Sequence, residues 1–160
     1  MISDSGNRTE FKTGAVRDIQ SGKGRCDLLP LSALTEVLQD DFLTVISVVD
    51  KQQVEFAILF IINDKSFFPD EETAILELSK HYEEGAKKYG EYNWQKGIPY
   101  SRYVDSAVRH YLKHLRGDTD EPHNRACLWN LISLYWTMIH KPEMNDLVKR
   151  KKDEEICLNG

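Results

Sequence analysis

The sequence has little cysteine, no long apolar run and no surplus of positive charge, and each shortage excludes a class of protein. The three cysteines, Cys26, Cys127 and Cys157, cannot all pair with one another and show no metal-ligand spacing. They read as reduced thiols, as expected of a cytoplasmic protein. The longest apolar run, FAILFII over residues 56–62, is far too short for a bilayer, whose core takes about 20 residues of helix. The opening stretch MISDSGNRTEF has neither a basic n-region nor an apolar core, so it does not read as a signal peptide. A net charge of −5 argues against a long nucleic acid as partner, because a phosphate backbone asks for a basic surface. A small anion needs only a local basic pocket. No internal repeat is visible.

At 160 residues, 41% of them hydrophobic and 29% charged, the chain is most simply one globular domain with a core of its own. Residues 1–11 are polar and read as a disordered N-terminus. Residues 12–146 read as the folded domain, and residues 147–160, with VKRKKDEE, as a charged flexible tail. The stretch KTGAVRDIQSGKGRCD (12–27) reads as a Gly-rich basic loop. The patterns TVISVV and VEFAILFII fit buried strands or short helices. The acidic start at Asp40–Asp41 and the lack of turn signals favour two helices.

FFPDEETAILELSKHYEEGAKKYG is a helix by its punctuation. Asp70 is a natural N-cap, Glu71 and Glu72 suit the first turn, and Gly90 suits the stop. Ile75, Leu78, Tyr82, Ala86 and Tyr89 recur at helical spacing as its expected buried face. The next helix begins near Ser101, carries Val104, Val108, Tyr111 and Leu115 as its apolar stripe, and ends at Gly117. The last, from about 122 to 139, is apolar nearly all round and belongs at the centre. The expected architecture is an all-α, single-domain helical bundle.

Several polar groups stand out against these patterns. Glu77, His81, Glu84 and Lys88 share one side of their helix, and Glu83 lies on the other shoulder of the buried face. Carboxylates so placed suit Mg2+ or Mn2+ better than zinc, or else form a solvated face with Glu–Lys pairs. Asp105 and Arg109 stand four apart, the spacing of an ordinary surface ion pair. His110 and His114 have metal-pair spacing without the HExxH glutamate. On the central helix His123, Cys127, Asn130 and Thr137 form a narrow polar stripe, and a buried Asn must bond to a side chain or a ligand. The loop is no Walker A motif, since Arg25 follows GKG. Its glycines, beside Arg17, Lys23 and Arg25, suit phosphates or merely a flexible basic loop. Trp94 suits either a stacked base or a plug in the core.

Four stretches, KTGAVRDIQSGKGRCDLLP (12–30), HYEEGAKKYGEYNWQKGIP (81–99), SRYVDSAVRHYLKHLRGDTDEPH (101–123) and WNLISLYWTMIHKPEMND (129–146), resemble the N-terminal-type domain of dATP/dGTP diphosphohydrolases, a family seen mostly in phages. They cover over half the chain, in order. The resemblance implies a link to the all-α, MazG-like nucleotide pyrophosphohydrolases. These use Mg2+ on helical carboxylates to cut a nucleoside triphosphate into monophosphate and pyrophosphate.

By this resemblance Glu83, Glu84, Asp105, Asp118 and Asp120 hold Mg2+ (or Mn2+). His110, His123 and Asn130 serve catalysis, as base or orienter. Arg17, Lys23, Arg25, Lys87, Lys88, Trp94 and Arg109 bind a purine nucleotide, and a homo-oligomer is expected. The sequence departs from MazG-like enzymes in two places. HYEE puts His81 three residues before Glu84, and Asn130 stands where an acid is expected. Fewer carboxylates leave a non-catalytic nucleotide-binding protein, or a partner of a separate hydrolase, as the alternative. A structural protein without a small ligand is a third reading.

Overall fold

The computed structural model describes residues 5–147. Six α-helices and one two-stranded sheet make up its regular structure: β1 (Arg8–Glu10), β2 (Val16–Asp18), α1 (Leu31–Leu38), α2 (Asp41–Ile46), α3 (Lys51–Asn63), α4 (Glu71–Tyr89), α5 (Tyr100–Arg116) and α6 (His123–His140). The all-α expectation therefore holds, with a small hairpin added. No helix among the described residues is long and apolar enough to cross a membrane.

The ambiguous middle segment forms two helices because an aspartate opens each. The Asp40 carboxylate accepts from the Leu43 N–H at 2.8 Å and that of Asp50 from the Gln53 N–H at 2.8 Å. Asp70 caps α4 in the same way, through the Thr73 N–H at 2.7 Å. Gly90 ends α4 at φ 92° and Gly117 ends α5 at φ 86°, both in the region where a side chain is strained.

Helix α6 lies at the centre and packs chiefly on α5, with α3 and α4 against its other sides. Leu128, Leu131 and Leu134 on α6 are fully buried, as are Val108 on α5 and Ile61 on α3. Each such side chain contributes about 1.5–3 kcal/mol on leaving water.

Each of two expected stripes fails at one position. On α4, Ile75 is 53% exposed, while Ala74 and His81 are buried. On α5, Val104, Val108 and Tyr111 are buried as expected, with Tyr103 and Ala107 beside them, but Leu115 is 52% exposed, since the last turn runs past the core.

The N-terminal region also differs from expectation. Residues 8–10 are not disordered, and residues 16–18 are strand rather than loop. β1 and β2 pair antiparallel, with Arg8 opposite Asp18, Thr9 opposite Arg17 and Glu10 opposite Val16. The turn between them is tied by Gly14 N–H to the Phe11 carbonyl at 2.8 Å, and it buries Ala15 completely.

The hairpin is held from a distance. Asn93 bonds both sides of Val16, accepting from its N–H and donating to its carbonyl at 2.8 Å each. Tyr89 Oη accepts from the Asp18 N–H at 3.1 Å. Thr13 Oγ1 donates to the Gly97 carbonyl at 2.5 Å. Behind Gly97 lies Met144, from the segment after α6, and Ser101 is bonded to Asp146 from the same segment. Residues 1–4 of the expected disordered N-terminus (1–11) and nearly all of the charged tail lie outside the described residues.

Candidate functional site: a basic cleft with aromatic walls

The hairpin does not cover the bundle fully. Between β2 and its following segment, the second half of α4, α5 and α6 lies a cleft of about 460 Å3. Its lining includes six cations, Arg17, Lys23, Lys88, Arg102, Arg109 and Lys113, against four acids, Asp18, Asp105, Asp120 and Glu121. Tyr82, Tyr89, Trp94 and Trp129 give it apolar wall. On α5 the polar lining follows the helix period, with Arg102, Asp105, Ser106, Arg109, His110 and Lys113 on one flank.

Asp18, Asp105 and Asp120 are engaged with cations. Asp18 pairs with Lys23 at 2.7 Å. Asp120 lies 3.5 Å from Lys113 and 2.7 Å from His123 Nε2. Asp105 is buried, 1% exposed, and accepts from Arg109 Nη2 at 2.5 Å, Gln20 Nε2 at 2.7 Å and the Cys26 N–H at 2.6 Å. The expected surface pair is thus a buried anchor between α5 and the N-terminal loop.

Arg17 and Arg102 differ from the other cations. Neither has a carboxylate within ion-pair distance among the described residues. Arg17 donates to the Arg102 carbonyl at 3.3 Å, Ser106 Oγ at 3.2 Å and Asn130 Oδ1 at 3.0 Å. Its guanidinium also lies 5.5 Å from the ring centres of Tyr103 and Trp129. Burial pushes its pKa down to about 10. Arg102 donates to the Asp18 carbonyl at 3.1 Å and is likewise lowered by burial. A charge withdrawn from water with only neutral partners is costly, and an anion entering the cleft relieves that cost.

Two more groups in the lining are unsatisfied. His81 Nδ1 and Trp129 Nε1 are buried without a hydrogen-bond partner among the described residues. Their rings stand 5.7 Å apart. Burial, then the positive charge of Arg125, pushes the His81 pKa down to about 3, so its imidazole is neutral. Burial also holds His110 well below its ordinary value.

The structure gathers some of the expected site residues and disperses others. Arg17, Lys23, Lys88, Trp94, Arg109, His110, Asn130, Asp105 and Asp120 all line the cleft. His123 stands behind His110, with the two Nδ1 atoms 2.9 Å apart. Asn130 holds Arg17 and donates to the Ala126 carbonyl at 2.8 Å, so its buried amide is a structural anchor for a cleft cation. Trp94 meets Trp136 edge-on at 5.0 Å and Tyr82 at 5.5 Å, which makes it part of an aromatic cluster that reaches the cleft.

Besides His123, five of the expected residues do not line the cleft. Arg25 is turned onto Asp27 at 2.6 Å. Glu83 and Lys87 pair with each other on the surface at 3.1 Å. Glu84 is engaged by Arg125 at 2.6 Å, and Asp118 by Arg116 at 2.5 Å. The five carboxylates assigned to Mg2+ or Mn2+ therefore do not gather at one point: Asp118 and Asp120 lie close together beside His123, while Glu83, Glu84 and Asp105 are each held by a cation elsewhere.

Arg102, Lys113, Glu121 and Trp129 were not singled out from sequence, and His81 was noted only beside Glu84, without a role. The flank 102–105–109–113 was a readable signal for the first two. Nothing local marks Trp129, whose ring faces the cleft because α6 runs at the centre.

No curated protein and no solved structure matches the chain. A family model described as dATP/dGTP diphosphohydrolase, N-terminal, matches residues 61–147, more than half of the chain. The match covers α4, α5 and α6, which carry most of the cleft, and stops short of the hairpin that brings Arg17. The chain belongs to the dATP/dGTP diphosphohydrolase N-terminal family.

Proposed function

We propose that the cleft binds a purine (deoxy)nucleoside triphosphate and that the chain hydrolyses it to the monophosphate and pyrophosphate. The observation that carries this reading is the pair Arg17 and Arg102, cations in the cleft wall without a carboxylate partner. The phosphates would lie against this pair, with Lys23, Lys88 and Arg109 nearby. Guanidinium groups fixed before the substrate arrives favour the charge that grows on phosphate oxygens in the transition state. The purine would rest on the aromatic wall, where Trp129 Nε1 and His81 Nδ1 lack partners. The substrate class rests on the family description, which names dATP and dGTP. Mg2+ or Mn2+ belongs to this reading as the companion of the triphosphate. A homo-oligomer belongs to it as well, supported by the exposed Phe56, Leu59, Ile75 and Leu76.

The dispersal of the acids supports a second reading, in which the chain binds the nucleotide without cutting it, or serves a separate hydrolase. One experiment separates the two. The protein is incubated with each common nucleoside triphosphate and Mg2+ or Mn2+, and the products are resolved by ion exchange. Binding is measured in parallel, and Arg17→Met is run beside the wild type. Monophosphate from dATP or dGTP, reduced at least tenfold by Arg17→Met, is expected. Intact triphosphates with tight, metal-independent binding would establish the second reading. No binding of any triphosphate would sink both.

A further inference from the structure

We propose that His110, Glu121 and His123 form a binding site for one first-row transition-metal dication of borderline character, such as Zn2+ or Co2+. The site does not depend on the cleft's ligand being a nucleotide, and it differs from the acidic set expected for Mg2+.

The geometry starts with the two imidazoles. His110 lies on α5 and His123 opens α6, and their Nδ1 atoms face each other at 2.9 Å. Two bare lone pairs do not sit at that distance unless something positive lies between them, either a proton or a metal ion. Glu121 turns the same way, with Oε1 at 3.7 Å from His110 Nδ1 and 3.9 Å from His123 Nδ1. Ligands about 2.1 Å from a common ion stand roughly 3.0–3.6 Å apart over ordinary coordination angles. The three separations bracket that range, so small movements bring all three atoms onto one ion.

A neighbouring contact sets the tautomer. Asp120 Oδ1 lies 2.7 Å from His123 Nε2, on the far side of the ring from His110. The carboxylate holds the proton on Nε2 and leaves Nδ1 bare, the arrangement that orients a metal-bound histidine. His123 is 2% exposed, so the ring has no room to turn away. A proton-bridged histidine pair has no need of a third ligand atom, whereas Glu121 supplies one. His110, Asp120 and Glu121 all line the cleft, which leaves the open side of the site facing it. Three protein ligands with an open position are the pattern of reactive rather than structural metal sites.

The donor set chooses the metal. Two nitrogens and one oxygen suit borderline ions, while Mg2+ prefers oxygens and gives up its water reluctantly. A competing group, Asp118, Asp120 and His123, approaches from the Nε2 side. That group offers one imidazole and two carboxylates, whereas the Nδ1 side offers two imidazoles, the donors a borderline ion favours, so the Nδ1 side is the better site.

The test uses the metal alone. Full-length protein is stripped with a chelator and titrated with Co2+, and visible d–d absorption is recorded. Melting curves are run with Zn2+, Mn2+ and Mg2+ at equal concentration. One equivalent of Co2+ giving a visible band is expected, with a rise in melting temperature for Zn2+ and none for Mg2+. Glu121→Gln should weaken Co2+ binding about tenfold or more, and His110→Gln more still, with far-UV circular dichroism unchanged. His123→Ala risks the core, so the other two variants carry the test. Absence of both the band and the Zn2+ shift in the wild type would overturn the site. So would equal Co2+ affinity in wild type, Glu121→Gln and His110→Gln.

Discussion

Arg17 Nη2 donates to Asn130 Oδ1 across 3.0 Å, joining the N-terminal hairpin to the central helix 113 positions later in the chain. The amide is a neutral acceptor, so it fixes the guanidinium without cancelling its charge. Asn130→Asp is a sharp probe of that arrangement. It should lower nucleotide affinity at least tenfold, because the anion's partner is taken, while the melting temperature gains little, because the new carboxylate cannot donate to the Ala126 carbonyl. Thermal melting and a binding titration on one sample read both effects. A variant that binds as well as wild type would remove Arg17 from the phosphate site.

Asp105 is the joint between α5 and the loop, with acceptor bonds to Arg109, Gln20 and the Cys26 N–H. Asp105→Asn keeps the shape and removes the charge, leaving Arg109 without its buried partner. A loss of about 3–5 kcal/mol is expected, measured by urea unfolding. A loss under about 1 kcal/mol would place the pair with ordinary surface contacts.

The pH dependence of stability should carry the mark of His81. Its folded pKa of about 3 lies below the ordinary 6.5. Between these values the unfolded chain binds a proton that the folded chain refuses. Stability is therefore lost as pH falls below about 6.5, by up to about 1.4 kcal/mol per pH unit for this one group. His81→Gln should flatten the curve between pH 6.5 and 4. Parallel curves for variant and wild type would show that the imidazole charges freely in the folded state.

Gly97 sits at φ +116°, where a Cβ would meet Met144 Sδ at 3.1 Å and Thr13 Cγ2 at 3.2 Å. Gly97→Ala should cost about 1–3 kcal/mol through backbone strain and displaced neighbours. Hydrogen exchange should quicken first at residues 13–18, since Thr13 hangs on the Gly97 carbonyl.

What could be read from sequence is what is local. The Asp70 cap, the Gly90 stop and the buried polar stripe of His123, Asn130 and Thr137 depend on neighbours within a turn or two, and all three appear as expected. The hairpin was not legible because its partners, Tyr89 and Asn93, lie 71 and 77 positions away. The face of α4 was misread at Ile75 because periodicity marks a stripe but not which stripe meets the core. The buried His81 shows that aromatic packing against Trp129 decided the matter. The carboxylates did not assemble as expected for a similar reason. Spacing placed Glu83 and Glu84 on the two shoulders of one buried face, yet α4 turns Glu83 to solvent, and Arg125, from α6, takes Glu84.

The distance of the hairpin from its supports has a consequence for how the cleft comes into being. As the chain emerges during synthesis, β1 and β2 come out first, yet Asn93, Ser106 and Asn130 must all be made before Arg17 has its seat. Such long-range closure is slow relative to helix formation. The helices can pack while the hairpin is still unattached, so the binding wall is the last piece to arrive. A destabilised variant would then lose ligand affinity at a temperature where its helical signal is still intact.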